Sequence, residues 1–261
     1  MTTDLVVGLD LGGTKTAAGV VTSQGMLLSN VRMPTPRQGV RRDLAALFDA
    51  AHAAVGASRV TWREIVAIGV GVPGAFDPRS QTVWAPNLPG WRKVALGRLM
   101  QLTLRRPTFV EGDRNVQALA EMWLGAGAQA SVRSLVFLTM GTGIGAGLIS
   151  DGRLITGAHG VAGAVGWMVI DRAWKVEYKR RGCLETLGAG PAVAKLGRLA
   201  ARRATRGSLL ARRKGGRITA ETVAAAARRG DKVAREVLAE VGMNLGMCVA
   251  NIVSLLNPDM S

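Results

Sequence analysis

The sequence predicts an α/β protein of two related domains, residues 1–112 and 113–261, with a ligand in the cleft between them. Three observations carry this. Leu135 to Leu148 reads as strand, glycine turn and strand: an apolar run, then Gly141-Thr142-Gly143-Ile144-Gly145-Ala146-Gly147, then Leu148-Ile149. The same device stands near the N-terminus, where Leu5 to Leu9 leads into Asp10-Leu11-Gly12-Gly13-Thr14-Lys15 and small apolar residues resume at Ala17. Strand and helix patterns alternate in both halves.

Each hairpin admits two readings. A glycine turn after a strand is an ordinary β-hairpin; glycines this closely spaced also reach φ > 0 and turn successive N–H groups toward phosphate oxygens. The repetition, with Asp and Thr in the first turn, favours phosphate.

After the first hairpin, Gly25 to Met33 is expected to add a strand before the linker Pro34-Thr35-Pro36. Arg41 to Val55 places Leu44, Leu47, Phe48, Ala51 and Val55 on one face of a helix, with His52 at its boundary rather than acting as a ligand. Ile65 to Val72 is a buried strand stopped by Gly71-Val72-Pro73-Gly74. The stretch Ala85 to Trp91 holds too much proline for a central strand and serves either packing or substrate binding.

A brief strand, Pro107 to Val110, delivers the chain to Glu111-Gly112-Asp113, from which a helix runs to a stop at Gly125. Asp113 suits an N-cap, and a carboxylate at this junction also suits a general base; spacing does not separate the two. Beyond the central turn, Trp167 to Ile170 is expected as a strand, and helices are expected over 190–199, 220–228 and 231–256.

Thirty-four Lys and Arg against eighteen Asp and Glu give a formal charge of +16, which favours anionic partners without choosing among them. Many arginines fall between Arg198 and Arg235, including Arg202-Arg203-Ala204-Thr205-Arg206 and Arg212-Arg213-Lys214, and are read as a solvated surface. Cys183 and Cys248 show no paired pattern, and the N-terminus has no basic region ahead of an apolar one, so a cytoplasmic protein without membrane insertion is expected.

Asp10 to Lys15, Gly71 to Gly74, Asn87-Leu88-Pro89-Gly90-Trp91, Asp113 and Gly141 to Gly145, in that order, resemble the ROK family of sugar kinases and repressors, which has the actin-like ATPase (ribonuclease H-like) fold. The resemblance runs from Leu5 to about Pro258. It implies that Asp10, Gly12, Gly13, Thr14 and Lys15 form one phosphate loop and Gly141, Thr142, Gly143 and Gly145 the other, holding ATP, with Mg2+ near Asp10. It implies Asp113 as the base for the sugar hydroxyl, and Gly74, Asn87 and Glu185 as further sugar contacts. A sugar kinase acting on a hexose or hexose derivative is the implied activity, with a homodimer as its assembly; a non-catalytic sugar or nucleotide sensor and a polyphosphate-dependent glucokinase are the alternatives.

The departures from the family pattern are equally specific. Gly112 stands where the family has Asn, and Gly163-Ala164-Val165-Gly166-Trp167 replaces Gly-Glu-Ile-Gly-His, removing a sugar-binding carboxylate and a histidine shared by sugar and zinc. Only Cys183 remains of the zinc loop, so no structural zinc is expected. Trp167 is expected to plug the vacated volume in preference to stacking on a sugar. The family continues past Asn-Pro-Asp into an adenosine-contacting glycine cluster, whereas this sequence stops at Ser261, and its first strand at Leu5 leaves no room for a preceding helix-turn-helix, so direct DNA binding is not expected.

Overall fold

The computed structural model describes residues 4–129, 131–204, 207–212 and 217–261, so Thr205, Arg206, Arg213 and Lys214 of the arginine-rich stretches lie outside the described residues. The chain forms two compact units, 1–128 with 154–162, and 129–153 with 163–261. The expected division at 112/113 falls inside the first of these, between a strand and the helix that follows it.

In the first unit, β1 (Leu5–Leu11), β2 (Lys15–Thr22), β3 (Val31–Pro34), β4 (Ile65–Val72) and β7 (Thr108–Gly112) make one sheet in the order β3-β2-β1-β4-β7. β1 pairs antiparallel with β2 and parallel with β4, which pairs parallel with β7. In the apolar run of β4, Ile65, Ile68 and Val70 to Val72 are buried, while Val66 is exposed. Helix α1 (Val40–Ala57) lays Leu47, Ala50, Ala51 and Ala54 on this sheet against Val7, Leu9 and Val20.

A small hairpin of β5 (Ala75–Asp77) and β6 (Thr82–Trp84) and the helix α2 (Leu96–Leu104) were not foreseen. The hairpin is too short to show a period, and α2 is one face of Leu96, Met100 and Leu104 only. Helix α3 (Asp113–Leu124) ends at Gly125 as expected.

The second unit opens with β8 (Leu135–Met140) and β9 (Ile144–Ser150), with β10 (Arg153–Leu154) at the far edge of β9. Leu135 also bridges in parallel to Met260, so the end of the described chain joins the sheet edge. After α4 (Tyr178–Arg181) and α5 (Cys183–Gly188) come α6 (Gly190–Arg203), α7 (Ala220–Arg228) and α8 (Lys232–Leu256). Asp231 caps α8 by accepting from Ala234 N at 3.0 Å, and Thr219 and Thr222 form a capping box on α7.

α8 alone among the described helices has the length and apolarity to cross a membrane, but it packs on α5, α6 and α7 with Val237, Val241, Cys248 and Ile252 buried. Trp167 to Ile170 is not a strand. Val165–Trp167 is instead a 3-10 turn, because Gly163 and Gly166 press against the β9 backbone and leave no room for a pairing strand.

Candidate functional site

In the first unit the parallel strands end together. Asp10 lies level with Gly71, and Gly71 with Glu111, so the carboxyl ends of β1, β4 and β7 bring Asp10, Gly74 and Asp113 to one edge of the sheet. Open α/β sheets bind ligands at this edge.

The Asp10 carboxyl is pushed up from the ordinary carboxylate value by burial and by the charge of Asp113. Its side chain keeps an exposed surface, so the crowding is that of a concave strand end rather than of a closed core. Burial also raises the Asp113 carboxyl, against the hydrogen bond it accepts from Arg114 N and the Arg114 charge.

Asp113 is the first residue of α3, not its N-cap. Gly112 occupies that position, and the Asp113 carboxylate reaches only the next amide, at 2.7 Å. The capping role is therefore corrected, and the carboxylate is left for other partners. Glu111 does the local bracing that sequence reasoning missed: its Oε1 accepts from Gly112 N at 2.7 Å and from Asn115 Nδ2 at 2.9 Å.

In the first glycine turn, Gly12 N donates to Lys15 O at 3.0 Å and Thr35 Oγ1 donates to Gly12 O at 2.8 Å. Among the described residues, the N–H groups of Gly13 and Thr14 have no protein acceptor. In the second unit, Gly141 N donates to Gly143 O at 2.9 Å and Ile144 N donates to Glu185 Oε2 at 3.0 Å, and among the described residues the Thr142 and Gly143 N–H groups have no protein acceptor. Each turn thus offers two consecutive donors, the arrangement that binds anions.

The reason for the glycines differs from the expected one. None of Gly12, Gly13, Gly141, Gly143 or Gly145 has positive φ. What Gly12 and Gly143 supply is clearance: a Cβ would fall 2.5 Å from Lys15 O in one and 2.6 Å from the Glu185 carboxylate in the other. Gly74 does need its conformation, with φ 123° and Trp84 O 2.3 Å from where a Cβ would be.

Asn87 is exposed on the proline-rich loop, and its carbonyl accepts from Arg37 Nη2 at 3.4 Å. The loop is anchored from below. Trp91 is fully buried and its indole N–H donates to Asp43 Oδ2 at 2.8 Å, linking the loop to the first turn of α1. No local pattern joins residues so far apart in sequence, so neither Asp43 nor Trp91 was singled out as a partner.

Glu185 lies under the second glycine turn, close to both Gly143 and Gly166. Trp167 does not plug this space: it is 54% exposed. Among the described residues, no group of three or more His, Cys, Asp or Glu is placed to hold a metal.

Paired strand–turn–strand units with free turn amides, and carboxylates at the ends of the parallel strands, define the actin-like ATPase fold. A sequence model of the ROK family matches residues 6–261, and the chain belongs to that family. It is 33% identical to the glucokinase of Streptomyces coelicolor over 97% of this chain and 79% of that protein. It is also 33% identical to the xylose repressor of Caldicellulosiruptor bescii, over 83% of this chain and 54% of that one. The ROK family glucokinase of Streptomyces griseus, solved with glucose and AMPPNP, superposes with a TM-score of 0.80 at 30% identity, covering 97% of this chain and 80% of that one.

Proposed function

We propose that this chain is a sugar kinase that transfers the γ-phosphoryl group of ATP to a hydroxyl of a hexose or hexose derivative. The observation that carries the reading is Asp113, a partly buried carboxylate at the strand-end edge, released from helix capping and neighboured by a second carboxylate, Asp10. Asp113 accepts the proton of the attacking hydroxyl; burial, by raising its affinity for that proton, improves it as a base at neutral pH.

Gly74, Asn87 and Glu185 contact the sugar, and Gly12 to Lys15 and Gly141 to Gly145 hold donor phosphates, the free amides being those of Gly13, Thr14, Thr142 and Gly143. Two nearby carboxylates with raised proton affinity also fit a divalent cation: Asp10 would hold Mg2+, which neutralises phosphate charge when bound. Transfer of this kind needs positioning and charge more than covalent help. The glucokinase relatives and the AMPPNP complex support hexose and ATP. On this reading the enzyme works in the cytoplasm as a homodimer, for which exposed Leu119 and Trp123 on α3 provide apolar contact surface.

The experiment is phosphoryl transfer by the 261-residue chain with Mg-ATP and with polyphosphate, over a panel of hexoses and N-acetylhexosamines, beside Asp113→Asn. Turnover that Asp113→Asn lowers ~10²- to 10⁴-fold is expected; an unimpaired variant would sink the mechanism. The repressor relative favours a second reading, a sugar sensor, which sugar binding without any turnover would select.

A further inference from the structure

Pro34-Thr35-Pro36, read from the sequence as a linker, reaches the first glycine turn through a pair of hydroxyls. The β2–β3 ladder pairs Lys15 with Pro34 and Thr16 with Met33, so Thr35 leaves β3 beside Thr14. Its N–H donates to Thr14 O at 2.9 Å, and its Oγ1 donates to Gly12 O at 2.8 Å. One residue therefore holds both sides of the turn. Pro36 disfavours the helical conformation at the residue before it and so keeps Thr35 extended in that position.

A threonine hydroxyl carries one hydrogen. Because Thr35 spends its own on Gly12 O, the 3.0 Å contact between Thr16 Oγ1 and Thr35 Oγ1 has Thr16 as its donor. Both threonines are buried. The bonds thus run one way, from Thr16 to Thr35 to Gly12 O, and hydrogen bonds chained in this manner polarise one another. The last acceptor is the one that matters. Gly12 C=O and Gly13 N–H belong to one planar trans peptide and point opposite ways, so fixing and polarising the carbonyl aims the N–H and strengthens it as a donor. Among the described residues that N–H has no protein acceptor, and nothing lies within 4 Å of where a Gly13 Cβ would stand.

We propose that Thr35, relayed from Thr16, is a positioning residue for the donor phosphates: through the Gly12–Gly13 peptide it orients and strengthens the Gly13 N–H. The identity of the anion as phosphate of ATP rests on the sugar-kinase reading. The action of the two hydroxyls on the turn does not.

The 261-residue chain is compared with Thr35→Val, which loses the hydroxyl and keeps the main-chain bond, with Thr35→Ser, which keeps the hydroxyl, and with Ser29→Ala. Ser29 is a buried hydroxyl of the same unit that accepts from Val20 N and donates to Ala54 O, with no contact to the turn. Amide NMR of the ligand-free chain reads the Gly13 nitrogen, and calorimetry reads the affinities for Mg-AMPPNP and, separately, for glucose. Thr35→Val is expected to move the Gly13 resonance and to weaken AMPPNP binding about two- to tenfold, with glucose affinity unchanged. Thr35→Ser should restore both. Ser29→Ala should melt below the parent, as Thr35→Val does, yet keep the parent's Gly13 resonance and AMPPNP affinity, which separates positioning from stability. A Gly13 resonance unmoved by Thr35→Val, or AMPPNP binding weakened as much by Ser29→Ala, overturns the proposal. A parent chain that binds no AMPPNP while its Gly13 resonance answers to Thr35 overturns the kinase reading and leaves the hydroxyl relay standing.

Discussion

Asp10 and Asp113 flank β4 at the carboxyl ends of β1 and β7, and the charge on Asp113 raises the proton affinity of Asp10. Neutralising one should therefore be felt by the other. In Asp113→Asn the Asp10 carboxyl is expected to titrate at lower pH than in the parent, as followed by carboxyl-carbon NMR; an unmoved titration would mean that the pair is too far apart to share a site. Turnover in the same variant should fall ~10²- to 10⁴-fold, the usual contribution of a positioned base.

The acidic limb of the activity profile follows from the same burial. Asp113 works only when ionised, and its folded-state affinity for protons is raised, so activity should climb with pH through a midpoint above the ordinary carboxylate value of 3.8. The stability sign is opposite. Between the unfolded and folded values the native chain holds the extra proton, so this group's contribution is fully present below the unfolded value and is lost as pH rises through the folded one. Asp113→Asn should accordingly melt higher than the parent at pH 7 and lose that advantage in acid.

Gly74→Ala should damage the fold around the strand-end edge. At φ 123° a side chain is strained, and its Cβ would meet the backbone oxygen of Trp84 at 2.3 Å. A loss of about 1–3 kcal/mol is expected in chemical denaturation, with sugar affinity reduced in the population that remains folded. Gly13→Ala, where nothing lies within 4 Å of the added atom and φ is not positive, is the contrasting control and should cost stability little.

Trp91→Phe removes a donor from a carboxylate that has few. Asp43 is fully buried, and its second oxygen already lacks a partner. Leaving Oδ2 unpaired as well should cost about 1–3 kcal/mol, beyond the smaller loss of apolar area. Asp43→Leu/Trp91→Phe, which removes the polar demand from both sides, should recover part of the loss; a double variant no better than the single would assign the effect to packing alone.

Tyr178→Phe tests the hydrogen bond from α4 to Asp171. The Tyr178 hydroxyl is the largest of the causes that hold the Asp171 carboxyl down to about 2, with Ala173 N and Lys175 contributing. A depressed carboxylate contributes stability above its unfolded value, and that contribution is lost as pH falls through about 2. The variant should melt below the parent at neutral pH, and the gap should close in strong acid.

Much of the fold was legible along the chain because its determinants are local. The two glycine hairpins, the α1 face, the β4 run, the Gly125 stop and the span of α7 each follow from residues a few positions apart. The Trp167 segment was misread because its apolar run has strand character, while the β9 backbone that excludes pairing lies elsewhere in sequence. Asp113 was located from its place between strand and helix, but only coordinates decided that Gly112 takes the cap.

The sequence by itself determined the family, the order of the elements and the positions of the two turns, since motif spacing and hydrophobic period are properties of the linear chain. Tertiary structure alone decided that Asp10 shares an edge with Asp113, that Glu185 braces the second turn, and that Trp91 is tied to Asp43. It also decided that Arg180 and Arg181 line one cavity with Glu177, Glu185 and Lys195. The physical reason is common to all four: burial, Coulombic coupling and hydrogen-bond geometry depend on distance through space, which residue spacing along the chain does not fix.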